Sequence, residues 1–223
     1  MNIITGSSGG LGKVIYKKFK KLNLPVLGID VVQTNYTDIV TDLSSHKNIQ
    51  SLSKEIKFKI DTITFAHALG NSKNEINSYN LNQYRYINAD SNLDFLLQFS
   101  SQFTSETSVA FLSSVHSIAT NSQSGNYAIS KQNLESIYRY ITLNNSEFNF
   151  NKCMFRIGAM DTPMLRNNVE NLDTLKKEIP SKKIIEPKAL ADLIIDFHLN
   201  YKQLLNCSIL QIDGGVLYKP GTD

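Results

Sequence analysis

The chain has 223 residues, 41% of them hydrophobic and 19% charged, with a formal net charge of +3. That length suits one large α/β domain, and the balance is globular rather than disordered or fibrous. The charge is too mild, and the basic residues too scattered, for a nucleic-acid surface, and no apolar run reaches the roughly 18 residues of a membrane span.

Asn2–Ile4 reads as a first strand directly after the initiator methionine, which leaves no room for a signal peptide and points to the cytoplasm. Leu11, Val14, Ile15, Phe19 and Leu22 recur at helical spacing, with Lys17, Lys18, Lys20 and Lys21 on the wet face. Pro25–Ile29 is a second strand and Asp38–Val40 a short third, joined by at most a truncated helix. Ile49–Ile56 is a weak helix, Thr62–Ala66 a fourth strand, Leu81–Phe99 a long helix and Ser108–Leu112 a fifth strand. Tyr127–Leu143 is a helix, Lys152–Ile157 a sixth strand, Pro187–Leu199 a helix with proline in its first turn, and Ser208–Ile212 the last strand.

Strict alternation of strand and helix predicts an α/β, Rossmann-type, doubly wound fold: a mostly parallel seven-stranded sheet with helices on both faces. Ligands of such sheets sit beyond the carboxyl ends of the strands, where strand order reverses. Residues 1–223 are expected to form a single domain of that type. The polar, weakly patterned stretch after the sixth strand, at about 164–185, is expected to be a substrate lid. Cys153 and Cys207 read as free thiols, and neither has a metal-ligand neighbour, so no metal is expected.

The first strand runs into Thr5-Gly6-Ser7-Ser8-Gly9-Gly10-Leu11-Gly12, and a helix follows. Glycines let a backbone turn sharply against a pyrophosphate, and the helix start offers it free N–H groups. Asp30 ends the second strand, where a carboxylate accepts from ribose hydroxyls and repels a 2′-phosphate; the alternative is a turn cap. No lysine or arginine lies inside the glycine turn. NAD(H) is therefore favoured over NADP(H). Asp42-Leu43 positions the adenine or caps a helix.

Tyr127 and Lys131 are four apart and share one helix face. A free tyrosine titrates near pH 10. An ammonium one turn away, with a cationic nicotinamide, would lower that value and make the tyrosine an acid/base for an alcohol–carbonyl pair. The same spacing in Tyr16 and Lys20 lies far from any carboxyl strand end and reads as packing. Ser113 and Ser114 end the fifth strand, and the Ser114 hydroxyl there can orient a reacting oxygen. His116 lines the substrate pocket or is structural. Arg156 binds an anionic substrate group or pairs with an acid.

Together these residues resemble the short-chain dehydrogenase/reductase family over nearly the whole chain. Thr5–Gly12 fits its glycine turn, and also the Thr-Gly-x-x-Gly-x-x-Gly form of a longer, sugar-modifying branch. Asn88 fits its helix asparagine, and Ser114, Tyr127 and Lys131 its serine, tyrosine and lysine. Gly158, Thr162-Pro163-Met164, Glu186-Pro187 and Ile212-Asp213-Gly214-Gly215 fit its later signatures. The resemblance implies that Asn88, Ser114, Tyr127 and Lys131 are catalytic, with Asn88 holding a proton-relaying water. It implies cofactor contacts from Gly6, Ser8, Gly10, Leu11, Gly12, Asp30, Asp42, Leu43, Ala66, Tyr127, Lys131, Gly158 and Thr162, and substrate contacts from Ser114, His116 and Tyr127. It also implies a homotetramer or homodimer packed through the helices of Asn88 and Tyr127.

Three positions depart from the family pattern. Phe65-Ala66-His67-Ala68 replaces Asn-Asn-Ala-Gly, with His67 structural or touching the cofactor ribose. Ile157 stands where proline is common, and Asn206 replaces a glycine in a place that suits a left-handed backbone. The expected activity is an NAD(H)-dependent secondary alcohol–ketone interconversion on a small or medium, polar or carbohydrate-like substrate. The alternatives are an NAD-dependent sugar epimerase or dehydratase, and a non-enzymatic dinucleotide sensor.

Overall fold

The computed structural model describes residues 1–70, 77–120 and 124–218. Seven strands, β1 (Asn2–Thr5), β2 (Val26–Asp30), β3 (Ile39–Val40), β4 (Thr62–Phe65), β5 (Ser108–Ser114), β6 (Asn151–Ile157) and β7 (Ser208–Ile212), form one sheet in the order β3-β2-β1-β4-β5-β6-β7. Every pair is parallel, as the alternation of elements requires. The order reverses between β1 and β4, so the carboxyl ends of those strands face the natural ligand crevice.

The helices are α1 (Gly12–Lys21), α2 (His46–Glu55), α3 (Ser78–Arg85), α4 (Ser91–Gln98), α5 (Gly125–Leu143), α6 (Pro163–Arg166), α7 (Leu172–Glu178) and α8 (Pro187–Asp196). Successive strand residues point to opposite faces and so feed two cores. Ile3, Ile63, Phe65, Val109, Phe111 and Met154 pack against α2, α4 and α5. Ile4, Val26, Ala110, Cys153 and Phe155 pack against α1 and α8. The first core is aromatic: Phe95 stacks on Phe99 at 4.0 Å and meets Phe65 edge-on at 5.6 Å, while Tyr138 meets Phe111 at 5.4 Å.

Several boundaries depart from the sequence reading. The helix expected at Leu81–Phe99 starts earlier, because Asn77 accepts a capping bond from Asn80 N at 2.9 Å. It is interrupted by a π-turn at Tyr86–Asp90, which inserts an extra residue and turns Asn88 inward. The helix expected at Pro187–Leu199 also runs into a π-turn, at Phe197–Tyr201. No helix joins β2 to β3. Instead Asp38 pins the short crossover, its N donating to Gly28 O at 2.8 Å and its carboxylate accepting from Gly28 N at 2.7 Å.

The segment expected to be a lid is not featureless. It holds α6, capped by Thr162, and α7, capped by Asn171. Its base is closed by a bridge between Met160 and Ile185. The left-handed backbone expected at Asn206 falls on Cys207, at φ 63°. Asn206 instead accepts from Lys152 N at 3.0 Å through its carboxamide. Both cysteines are free. Among the described residues no helix is long and apolar enough to cross a membrane, and no cluster of acids, histidines or cysteines could hold a metal.

Candidate active site

The glycine turn lies at the carboxyl end of β1. Gly6 takes φ +67°, and a Cβ on it would come within 2.5 Å of His67 N; a Cβ on Gly12 would come within 2.1 Å of Gly6 O. Only glycine fits at either place. The turn leads into α1, and among the described residues the N–H groups of Gly10, Leu11 and Gly12 find no acceptor. Three unanswered donors at the start of a ten-residue helix are a cradle for an anion. Across from it stands Thr162, whose methyl would be 2.7 Å from a Cβ on Gly10. Gly158 donates to Ile212 O at 2.8 Å, which holds the β6 and β7 ends together, and Asp213 accepts from the N–H groups of Gly215 and Leu217 at 2.9 Å each, which orders the turn after β7.

Asp30 accepts from Ser8 N at 2.8 Å and from Val32 N at 3.0 Å. Asp42 does not cap α2. Its carboxylate accepts from Ser44 N at 2.8 Å, while the N-cap position belongs to Ser45. Leu43 is buried in the core, 7% exposed. Ala66 N continues the β1–β4 ladder to Thr5 O at 3.0 Å. His67 takes the structural alternative. Its Nδ1 lies 2.6 Å from Thr5 Oγ1 and its Nε2 2.9 Å from Ser91 Oγ, and burial lowers its pKa to about 3. The Tyr16–Lys20 pair is packing, as expected: Tyr16 donates to Asp38 at 3.2 Å, and Lys20 Nζ lies 5.3 Å from its ring.

Ser114, Tyr127 and Lys131 come together at the carboxyl edge. Ser114 is the last residue of β5 and accepts from His116 N at 3.3 Å. Tyr127 sits in the first turn of α5, which starts at Gly125. The His116 ring packs edge-on against it, centroids 6.0 Å apart. Residues 121–123 of the intervening loop lie outside the described residues. Lys131 Nζ is 5.6 Å from the Tyr127 ring and donates to Leu112 O at 2.8 Å.

Burial favours the neutral form of both groups. It lowers the Lys131 pKa to about 8 and pushes that of Tyr127 up to about 12, against the pull of a Ser114 hydrogen bond. The lowering expected for Tyr127 is thus not supplied by the polypeptide alone.

Asn88 uses both amide hydrogens, donating to Leu69 O at 3.1 Å and Ser130 Oγ at 2.9 Å, and accepts from Leu69 N at 2.7 Å. It ties the loop after β4 to the helix that carries Tyr127 and Lys131. Arg156 takes its pairing alternative. Its Nε and Nη2 donate to Glu135 at 2.9 and 2.7 Å. Glu135 also accepts from Ser113 Oγ at 2.8 Å and Ser117 Oγ at 2.5 Å, and these bonds hold its carboxyl below the usual carboxylate range despite burial.

Sequence reasoning missed Glu135. The available signal was an acid one helical turn beyond Lys131, on the same face. It also missed the close approach of Gly70 and Met164, where a Cβ on Gly70 would be 2.7 Å from Met164 Cγ, and Tyr84, which donates to Gly70 O at 2.8 Å.

A family model described as enoyl-(acyl carrier protein) reductase matches residues 28–217. No curated protein matches the chain in sequence. Among solved structures, a short chain dehydrogenase family protein from Francisella tularensis subsp. tularensis SCHU S4 aligns with a TM-score of 0.87 at 20% identity, covering 98% of each chain. The ligand-free aldohexose dehydrogenase of Thermoplasma acidophilum aligns with 0.87 at 15% identity, over 100% of this chain and 96% of that one. BdcA, in complex with NADPH, aligns with 0.84 at 17%, over 96% and 92%. At these identities the likeness is one of fold.

Proposed function

The chain belongs to the short-chain dehydrogenase/reductase family of oxidoreductases, and on that premise we propose that it interconverts a secondary alcohol and a ketone with NAD(H), using Tyr127 as the acid/base. The observation that carries this reading is the meeting of Ser114, Tyr127 and Lys131 at the strand ends, beside the unanswered amides of the glycine turn. A nicotinamide dinucleotide bound there supplies the hydride acceptor or donor. The amides of Gly10, Leu11 and Gly12 would hold its pyrophosphate, Asp30 its adenosine ribose, and Lys131 and Thr162 its nicotinamide half.

In the reductive direction Tyr127 gives its hydroxyl proton to the developing alkoxide, while the Ser114 hydroxyl holds that oxygen in place. In the oxidative direction Tyr127 takes the proton back. With its pKa pushed up to about 12, Tyr127 is protonated at neutral pH and poised as an acid. Its use as a base depends on cationic charge beside it: that of Lys131 and of the oxidised cofactor. Lys131, its pKa lowered to about 8 by burial, carries that charge at neutral pH and loses it as the pH rises through about 8.

With Arg156 paired to Glu135, that guanidinium is not available to favour an anionic substrate. A neutral polyol or sugar is the better match, in keeping with the aldohexose dehydrogenase among the structural relatives. Exposed Leu97, Ile129, Tyr140 and Leu143 on α4 and α5 support a homo-oligomer built through those helices. A cytoplasmic setting fits a nicotinamide-dependent reaction.

The test has two steps. Purified protein is titrated with NADH and NADPH by nicotinamide fluorescence, and a panel of sugars, polyols and ketoses is then assayed at 340 nm. Tyr127→Phe should bind NADH as the wild type does and lose about 10²–10⁴-fold in turnover. Undiminished turnover in that variant would refute Tyr127 as the acid/base.

A further inference from the structure

The sequence reads Cys153 and Cys207 alike, and the fold separates them. Cys153 lies inside β6, fully buried in the core that α1 and α8 cover. Burial pushes its thiol up to about 12, and the thiolate is the form that reacts with oxidants. Cys207 stands just before β7 and is partly exposed. Its N donates to Lys152 O at 2.7 Å, and its sulfur lies 3.9 Å from Lys152 Nζ.

A lysine is almost never fully buried without an acid beside it. Lys152 is fully buried, and among the described residues no carboxylate pairs with it. Its Nζ reaches Asn145 Oδ1 at 2.6 Å, Phe148 O at 3.2 Å and the Cys207 sulfur. Burial lowers its pKa, with Cys207 pulling the other way. A neutral amine has two protons and one lone pair. The two oxygens accept the protons, and the sulfur is the neighbour left for the lone pair. The ammonium form instead sets a positive charge against that sulfur, the setting that activates a thiol. A nucleophilic nitrogen and an oxidisable sulfur therefore face each other at the amino ends of β6 and β7, the far end of the sheet from Ser114.

We propose that Cys207 and Lys152 form a peroxide-responsive modification site, in which a sulfenic acid made on Cys207 is captured by the Lys152 amine as a sulfenamide. Hydrogen peroxide is the oxidant. The Cys207 sulfur takes one peroxide oxygen, the O–O bond breaks, and the other oxygen leaves as water; the sulfur loses two electrons and the peroxide gains them. The Lys152 lone pair then attacks the sulfur. An N–S bond forms, the S–O bond breaks, and the hydroxyl leaves with one amine proton as water, so no second oxidant is consumed. An added thiol reverses the link by attacking the sulfur and releasing the amine. Capture also keeps Cys207 short of sulfinic acid, from which a thiol does not ordinarily return.

Peptide mapping by mass spectrometry of the folded, reduced protein after exposure to hydrogen peroxide tests this without substrate or cofactor. The wild type should give one cross-linked peptide pair that joins Lys152 to Cys207, lighter by two hydrogens than the sum of the free peptides and restored by dithiothreitol. Cys153 should stay unmodified until the protein is unfolded and alkylated. Cys153→Ala should keep the cross-link, which separates it from a disulfide between the two cysteines. Lys152→Met keeps an apolar stem and removes the nitrogen, and Cys207 should then run on to sulfinic acid. Each variant is melted first; if Lys152→Met does not fold, the wild-type map and Cys153→Ala still decide.

Oxidation of wild-type Cys207 to sulfinic acid with no cross-link would overturn the proposal, because the amine would then not reach the sulfur. So would a link from Cys207 to any other nitrogen, a link that disappears in Cys153→Ala, or modification of Cys153 ahead of Cys207. A folded Lys152→Met variant that stops at the sulfenic acid as the wild type stops at the sulfenamide would also refute it, since protection would then owe nothing to the lysine.

Discussion

One carboxylate, that of Glu135, collects an arginine fork and two serine hydroxyls, and its side chain is 1% exposed. The serines bracket Ser114, and Ser117 also reaches Ser114 O at 2.7 Å. Removing the carboxylate strands the Arg156 guanidinium, itself 12% exposed, and releases the segment that presents Ser114. Glu135→Ala should therefore cost about 3–5 kcal/mol in urea unfolding. A cost below about 1 kcal/mol would mean that the pair is solvated. Tyr127, Lys131 and Ser114 were legible because their signals are local: a four-residue helical spacing and a serine closing an apolar run. Glu135 was not, because its meaning depends on Arg156, 21 residues away on another strand. The same holds for Arg156, whose two readings only the folded partner could separate.

At the scale of elements, the π-turn at Tyr86–Asp90 matters most. An amphipathic helix keeps its apolar stripe across one inserted residue only by bulging, and the sequence pattern on either side looks continuous. That is why a single helix was expected there. The bulge turns Asn88, 1% exposed, into a brace between the loop after β4 and α5. Asn88→Ala strands the Leu69 amide and loosens that joint. It should cost about 1–3 kcal/mol, and NADH affinity should fall severalfold by nicotinamide fluorescence. Native stability and affinity in the variant would show that the loop stands unaided. The lid helices were illegible for another reason: they are short, and their main signals are the caps, Thr162 and Asn171.

For the molecule as a whole, the topology was readable from alternation alone, since a parallel sheet leaves few other ways to bury both faces. Its acid sensitivity was not. His198 is 3% exposed, with Nε2 2.9 Å from Thr64 Oγ1 and Nδ1 2.8 Å from Ser108 Oγ, and burial lowers its pKa to about 3. His67 is shifted to about 3 as well. The unfolded chain takes up these protons near pH 6.5, the folded chain only near pH 3. The contribution of these two histidines is therefore fully present above about pH 6.5 and is lost as the pH drops. For His198 alone the loss by pH 4.5 is about 2–3 kcal/mol. Urea unfolding at pH 7 and pH 4.5 should show it, and His198→Asn should flatten the slope; an unchanged slope would place the sensitivity elsewhere.

The stitched base of the lid has a bearing on how such a chain can change. Met160 and Ile185 pair backbone to backbone, with Asp161 N donating to Ile185 O at 2.9 Å and Ile185 N to Ala159 O at 2.9 Å. Everything between them leaves and returns at one point, so its length and side chains can be exchanged as a cassette while the seven strands keep their register. Grafting the corresponding segment from a relative, cut at residues 161 and 184, is then the conservative way to ask whether it sets what this scaffold accepts.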